Sequence, residues 1–594
     1  MDGTLVMTPR PRALAFALLL LPHAPQASAR ASLQTSTRYE AGMVSAADPR
    51  AAEAGAQMLR AGGSATDAAL AVLAALTVVE PQSSGIGGGG FLVMDDGKGR
   101  VETIDGRETA PAAAGPSWFE MNGQYLSVPQ AIPGGRSVGV PGNIALMASA
   151  HRRHGKLAWR RLFQPAIRLA RDGFAITPRL YQSLDKSRPR TSPVPELRDL
   201  AALGNAGAGL SPQSRSLFFD ASGAPLPVGT LVRNPALAAF LDRLARQGPQ
   251  AFYRGANARA IAAAVSGAPR NPAPMTTADI ASYKARARPP VCSRYRGWRL
   301  CGMGPPSSGA TTTFAILGML ERFDMAALGK TSPTAWHLFA EAQRLAYADR
   351  ERYLADSDFV PVPTAGLIDP GYLAARSQLI APDRSIPATS AGVPPGARTA
   401  QADTLTADVP STSHFAVVDR KGQVVSLTST IESSFGSGLM VNGYFLNNEL
   451  TDFSLVPERD GMPVANRVEA RKRPRSSMSP TLLYDPSGKL RMAVGAAGGG
   501  TIPVQVARTI IGVIDWKLTA AEAIALPVLY APGGTAVTVE DGSALVAMIP
   551  ALQALGHAQV TTGTLSLKAN AVEVINGRLR GAADPRSEGA AIGE

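Results

Sequence analysis

Thr412-Ser413-His414-Phe415-Ala416-Val417-Val418-Asp419-Arg420-Lys421-Gly422-Gln423-Val424-Val425-Ser426-Leu427-Thr428-Ser429-Thr430 is two runs rich in β-branched and apolar residues around a polar turn. Phe415 to Val418 and Val424 to Leu427 have strand composition, and Asp419-Arg420-Lys421-Gly422 has the chemistry of a tight hairpin turn. Counting outward from the turn pairs Thr412 with Ser429 or Thr430, so two hydroxyls meet at the open end of a hairpin. Threonine is a common strand residue, and neither residue alone signals chemistry.

Upstream of this hairpin, residues 385–409 are rich in Pro, Ala, Thr, Ser and Gly and keep no periodic pattern. They read as an exposed, cleavable linker ending near Ser411. Further strands are expected at 443–447, 481–484 and 491–495. The chain before residue 384 reads mainly as helices. Residues 42–79 carry a helical pattern broken at Gly62-Gly63, and their second half, from Thr66 to Val79, is almost wholly apolar and therefore buried. Helices are also expected at 157–172 and 335–354. Gly85-Ile86-Gly87-Gly88-Gly89-Gly90 contains a dinucleotide-type glycine pattern, but it follows a helix and precedes a strand, the reverse of what a nucleotide site requires.

Arg10 and Arg12, the apolar run 13–22 and Ala27-Ser28-Ala29 compose a secretory signal peptide at residues 1–29, with Met1 or Met7 as the start. That apolar run is too short to span a membrane, and no later segment is long and apolar enough. The composition, with 45% hydrophobic and 18% charged residues, is that of a soluble globular protein. Its net charge is +13, and removal of residues 1–29 takes away Arg10, Arg12 and Asp2 to leave +12. The arginines are scattered rather than gathered into a stripe, which argues against nucleic acid as a partner. The two cysteines, Cys292 and Cys301, bracket a Tyr295-Arg296-Gly297-Trp298 turn. They can form a cross-strand disulfide in an oxidising compartment or remain two half-buried thiols. No metal site is expected: His151 and His154 enclose two arginines whose charge opposes a cation.

A wider set of motifs resembles the gamma-glutamyltransferase family along nearly the whole mature chain. It comprises Glu80-Pro81-Gln82-Ser83-Ser84 running into Gly85 to Phe91, Asp105-Gly106-Arg107-Glu108-Thr109-Ala110-Pro111, Pro305-Pro306-Ser307-Ser308-Gly309 and Tyr347-Ala348-Asp349-Arg350. After the linker come Thr412-Ser413-His414, Thr428-Ser429-Thr430-Ile431-Glu432, Leu446-Asn447-Asn448-Glu449 with Asp452-Phe453-Ser454, Lys472-Arg473-Pro474-Arg475-Ser476-Ser477-Met478-Ser479-Pro480, and Gly498-Gly499. Each is weak alone; their common order is specific.

The resemblance implies a four-layer αββα sandwich of the N-terminal-nucleophile hydrolase type. It also implies a precursor that cuts itself between Ser411 and Thr412 into a large subunit (30–411) and a small one (412–594), which stay together as a heterodimer. The freed Thr412 would be both nucleophile and, through its α-amine, base. Thr430 would orient that amine, and Gly498 and Gly499 would supply oxyanion donors. His414 is read as a strand-packing residue. Arg107, with Ser476 and Ser477, would hold a substrate carboxylate, and Glu432, Glu449 and Asp452 an ammonium. The implied activity is transfer of gamma-glutamyl groups, from glutathione and similar compounds, to water, amino acids or peptides, without a cofactor, in the periplasm or outside the cell. Rival readings are a cephalosporin or glutaryl-amide acylase on the same scaffold, and a non-catalytic secreted binding protein. Two departures stand out: Ser413 replaces a common second threonine, and Arg475 a frequent leucine. Residues 455–471 lie where a lid can cover the pocket.

Overall fold

The computed structural model describes residues 1–4, 39–187, 210–398, 401–403 and 411–594. The signal peptide expected at 1–29 falls almost wholly outside them, as does most of the last stretch of the linker. The chain divides into Met1–Thr35 and Ser36–Glu594, and the second unit contains all the elements of the fold.

Two sheets form its centre. The first is built, in chain order, from β1 (Met43–Ala46), β2 (Gly89–Asp95), β3 (Val101–Asp105), β4 (Arg286–Arg288), β7 (Ser413–Val418), β8 (Val424–Thr430) and β13 (Ala590–Gly593), lying side by side as β13-β1-β7-β8-β2-β3-β4. The second contains β5 (Val291–Tyr295), β6 (Trp298–Gly302), β9 (Thr481–Tyr484), β10 (Leu490–Ala497), β11 (Lys568–Ile575) and β12 (Arg578–Ala583), in the order β12-β11-β10-β9-β6-β5. Alternation along β7 explains the stacking. Phe415 and Val417 pack with α1 (Pro49–Arg60) and α2 (Ala65–Val79), whereas Ala416 and Val418 join the core shared with the second sheet. Against the far face of the second sheet lie α3 (Gly309–Leu320), on which α4 (Pro333–Tyr353) packs in turn, and α5 (Ile502–Ile514). This is the expected four-layer αββα sandwich.

α2 is apolar all round because it is enclosed all round; every one of its residues is buried. A Ser64–Asp67 capping box starts it. Three local expectations give way to tertiary context. Met43–Ala46, within the stretch read as helical, is a strand between β13 and β7. The helix at 157–172 breaks into Trp159–Leu162 and Gln164–Asp172. Residues 443–447 retain only the short strand Tyr444–Phe445. The two halves of the chain are also less segregated than expected: residues before 384 supply strands β1 to β6, and α5 comes from the second half. Cys292 and Cys301 are opposite one another on β5 and β6 and form a disulfide. The start of the linker is exposed but tethered, since Ile386 N donates to the buried Glu341 at 2.7 Å and Gly392 N to Asp349 at 2.8 Å.

Candidate active site

The hairpin register pairs Ser413 with Ser429, which continued by one residue sets Thr412 opposite Thr430. Thr412 Oγ1 donates to Thr430 Oγ1 at 3.3 Å, and Thr430 Oγ1 donates to the carbonyl oxygen of Ser411 at 2.7 Å. The Glu432 N–H anchors the same Thr430 oxygen at 2.8 Å. One hydroxyl thus joins the candidate nucleophile to the carbonyl of the bond it would attack. Close packing behind Thr430 explains part of the glycine run: a Cβ on Gly88 would lie 2.0 Å from the Thr430 carbonyl oxygen.

A cleft opens from Thr412 and Thr430. It is lined further by Arg107, Glu432, Glu449, Asp452, Ser476, Ser477 and Gly499, with Met478 and Ile502, and its free volume of about 20 Å³ is that of a single water. Ten residues carry chemical expectations from the sequence; nine line this cleft, and Gly498 lies just behind it. Gly498 has φ +136° and Gly499 +58°, both in the region glycine favours. A Cβ on Gly498 would lie 2.3 Å from the Ser566 carbonyl oxygen.

Arg107 follows the end of β3 and is fully buried. Its guanidinium donates to the carbonyls of Pro474 (3.2 Å) and Arg475 (2.7 Å) and forms ion pairs with Glu449 and Asp452. Those two acids occupy the ends of the 3₁₀ turn Glu449–Asp452, where residues three apart project together. Glu432 accepts hydrogen bonds from Ser433 Oγ (2.5 Å) and Asn448 Nδ2. Its φ is +77°, a strained conformation for a side-chain-bearing residue, of the kind that concentrates at functional sites.

Acids outnumber cations here, and the protonation equilibria reflect it. Burial first, then Asp452 and Glu449, raise the Glu432 carboxyl well above its ordinary range. Burial raises Glu449 to about 7 despite the opposing charge of Arg107. Glu108, part of a motif but without a role assigned from sequence, is completely buried, and neither of its oxygens meets a hydrogen-bond donor among the described residues. Its carboxyl lies against that of Glu449, and burial and that neighbour raise it well above its usual range. Two enclosed carboxyls side by side each disfavour ionisation of the other. Arg107 goes the other way: its three acidic neighbours outweigh burial and strengthen its hold on its proton.

Sequence reasoning also gives no role to Arg350. It donates to Ser477 Oγ at 2.6 Å and to Ser308 Oγ at 3.0 Å, tying a cleft-lining hydroxyl to α4. The only sign of it is the Tyr347 to Arg350 motif. Arg475 is accommodated in a buried position by pairing with Glu351 at 2.8 Å. His414 faces the second sheet, where its ring fills the space above Gly495 and Nδ1 meets Thr428 Oγ1 at 2.8 Å. Burial lowers its pKa to about 3, keeping it neutral. Residues 455–471 include the exposed pairing of Glu458–Arg459 with Met462–Pro463, and Asn466 ties their base to the cleft by donating to the Asp452 carbonyl at 2.7 Å.

His151 and His154 have separate partners, the Leu157 carbonyl and Glu102. A buried cluster elsewhere, His337, Glu341 and His557, could hold an ion by spacing. The histidines instead bond each other at 2.8 Å, and Arg344 occupies Glu341 at 2.7 Å, setting a cation where a metal would bind.

Residues 51–594 match the family described as Gamma-glutamyltranspeptidase. A glutathione hydrolase proenzyme of Bacillus subtilis (strain 168) is 35% identical over 567 residues, covering 93% of this chain and 91% of that one. An Acylase ACY 1 proenzyme of Pseudomonas sp. (strain V22) is 34% identical, with 93% of both chains covered. Among solved structures, a cephalosporin acylase from Bacillus halodurans superposes with a TM-score of 0.79 at 25% identity, over 96% of this chain and 99% of that one. Among the described residues, no helix is long and apolar enough to cross a membrane. On the family match along nearly its full length, and on a fold shared with such enzymes, the chain is an enzyme belonging to the gamma-glutamyltranspeptidase family.

Proposed function

We propose that this protein is an exported gamma-glutamyltransferase and glutathione hydrolase that matures by cutting its own chain between Ser411 and Thr412. The observation that carries the reading is the chain of hydroxyls from Thr412 through Thr430 to the Ser411 carbonyl, beside a cleft holding one arginine and several acids. In maturation, Thr412 Oγ bonds to the Ser411 carbonyl carbon as its proton moves to the Thr412 nitrogen and the carbon–nitrogen bond breaks. Water then hydrolyses the resulting ester, leaving a carboxylate on Ser411 and a free amine and hydroxyl on Thr412. Residues 30–411 and 412–594 remain associated as large and small subunits, after loss of the signal peptide at 1–29.

In turnover, the α-amine of Thr412, with an unperturbed pKa of about 7.7–8.0, accepts the proton of its own hydroxyl as that oxygen attacks the gamma-carbonyl. Thr430 orients the amine, and the backbone N–H groups of Gly498 and Gly499 receive the oxyanion. The amine of the leaving group departs, and water or an amino acid or peptide takes the gamma-glutamyl group from the Thr412 ester. The steps draw on no metal or organic cofactor.

Charge matching supports the donor class. Arg107 already pairs with Glu449 and Asp452. The α-carboxylate and α-ammonium of a glutamyl group can replace both halves of those pairs at once, with Ser476 and Ser477 adding donors to the carboxylate. A glutaryl or cephalosporin acyl group would satisfy Arg107 and leave buried acids without a cation, which is costly. Hence the gamma-glutamyl reading is favoured over the acylase reading, although acylases are among the relatives.

N-terminal sequencing of the purified protein tests the cut, and hydrolysis of gamma-glutamyl and glutaryl anilides tests the donor. A fragment beginning at Thr412 and preference for the gamma-glutamyl substrate are expected. Thr412→Ala should remain one chain, with turnover lower by more than about 10⁴-fold. An active, uncut wild-type chain would overturn the proposal, and an uncut, inactive one would favour the binding-protein reading.

A further inference from the structure

Thr412 meets Thr430, but the residues on either side of it are held by a different part of the molecule. Ser411 Oγ donates to the Gln82 carbonyl at 2.6 Å. Ser413 Oγ donates to Glu80 Oε2 at 2.5 Å and accepts from Ser84 Oγ at 3.1 Å. Both anchors lie just past the C-terminal end of α2. Glu80 is itself fixed from the opposite side of the sandwich: Lys568 Nζ, at the start of β11, stands 3.0 and 2.9 Å from its two oxygens and 3.4 Å from Ser413 Oγ. The pair is fully enclosed, with side-chain exposures of 3% for Glu80 and 1% for Lys568.

A buried ion pair is a poor source of net stability, because desolvation cancels most of its attraction. What this one supplies is position. It links α2 to the second sheet at the one place where the hairpin end carries the scissile bond. The Thr412 hydroxyl must stay in line with a carbonyl one residue away, and misplacement by 1 Å is enough to cost on the order of 10²-fold in rate. Glu80 lies in the segment before the cut, whereas Ser413 and Lys568 lie after it, so the same contacts retain the new chain end once the bond is broken.

We propose, on the basis of the self-cleavage reading above, that Glu80 and Lys568 are positioning residues for maturation, acting through Ser413 to hold the Thr412 hydroxyl against the Ser411 carbonyl. Neither touches the reacting atoms. The test is the time course of conversion of the full-length chain into two fragments, made by cell-free translation and read on a denaturing gel, with a circular-dichroism melt of each variant. Wild type and Ser413→Thr, which keeps the hydroxyl, should convert at rates within about 2-fold of each other. Ser413→Ala, Glu80→Gln and Lys568→Met should convert about 10-fold more slowly or worse while keeping a folded spectrum. The double variant Glu80→Gln/Lys568→Met carries no unpaired buried charge, so it remains informative should either single variant misfold, and it too should be slow. In the fraction that matures, kcat should fall and donor KM should not. Wild-type conversion rates in Ser413→Ala and in the double variant, with only the melting temperature lowered, would show the pair to be mere scaffolding. A wild-type chain that never converts would instead defeat the self-cleavage reading itself.

Discussion

Two clusters of charge begin at the neighbouring buried positions Asp105 and Arg107 and behave oppositely, the first reaching the surface at Asp358 and the second enclosed. In the first, Asp105, Asp356 and Asp358 face Arg288 and Arg473: Arg288 Nε is 2.7 Å from Asp105, Arg288 Nη1 3.0 Å from Asp358, and Arg473 N donates to Asp356 at 2.9 Å. Every aspartate oxygen in it meets a donor. In the second, Arg107 faces Glu108, Glu449 and Asp452, with Glu432 in the same cleft, and both Glu108 oxygens and one Glu449 oxygen lack a donor among the described residues. A satisfied cluster braces a fold; one short of positive charge is prepared for a ligand that brings it.

The sharpest way to break this contrast is Arg107→Met. It removes the grip on the substrate carboxylate and strands the acids, so kcat/KM for a gamma-glutamyl anilide should fall by about 10²–10⁴-fold, the equivalent of the roughly 3–5 kcal/mol lost when a buried pair loses one partner. Arg288→Met makes the same change in the satisfied cluster and should have the opposite readout. Stability by denaturant melt should drop by up to about 3–5 kcal/mol, with donor KM unchanged in the folded enzyme. Equal KM effects in the two variants would erase the distinction.

Asp452→Asn is a smaller change. It retains shape but weakens a charge-assisted contact worth about 1.5–3 kcal/mol, so kcat/KM should fall about 10–100-fold for the gamma-glutamyl donor and much less for a glutaryl anilide lacking the ammonium. Smallest of all is the pH effect of Glu449. Its folded pKa is raised to about 7, so the protonated form is the one folding favours, and that contribution is lost as pH rises through about 7. Ionisation over the same interval supplies charge to the substrate ammonium, and donor KM should therefore fall by a few-fold between about pH 6 and 8. Glu449→Gln should flatten the profile; an unchanged profile would place the titrating group elsewhere.

Much of the site is legible for local reasons. Period-two alternation and the Asp419 to Gly422 turn are enough to bring Thr412 beside Thr430, since hairpin register is set by a handful of adjacent residues. The near-continuous apolar run of α2 announces its burial in the same way. Arg107, Ser476 and the acids are recognised through motif order alone, because nothing local distinguishes a cleft-lining acid from a surface one. Glu108 and Arg350 escape sequence reasoning on that account: their significance lies in what surrounds them. Met43–Ala46 reads locally as helix because its four residues owe their strand to β13 and β7, more than 350 residues away in sequence.

By itself, then, the sequence settled the hairpin, the buried helix and the family, all of which depend on neighbours along the chain or on the order of short motifs. Only the tertiary structure decided the balance of charge. Arg107 meets Glu449 across 342 residues and Lys568 meets Glu80 across 488. Whether such a carboxylate is solvated, paired or left short of a donor depends on enclosure by distant segments, and desolvation leaves no trace in the local sequence.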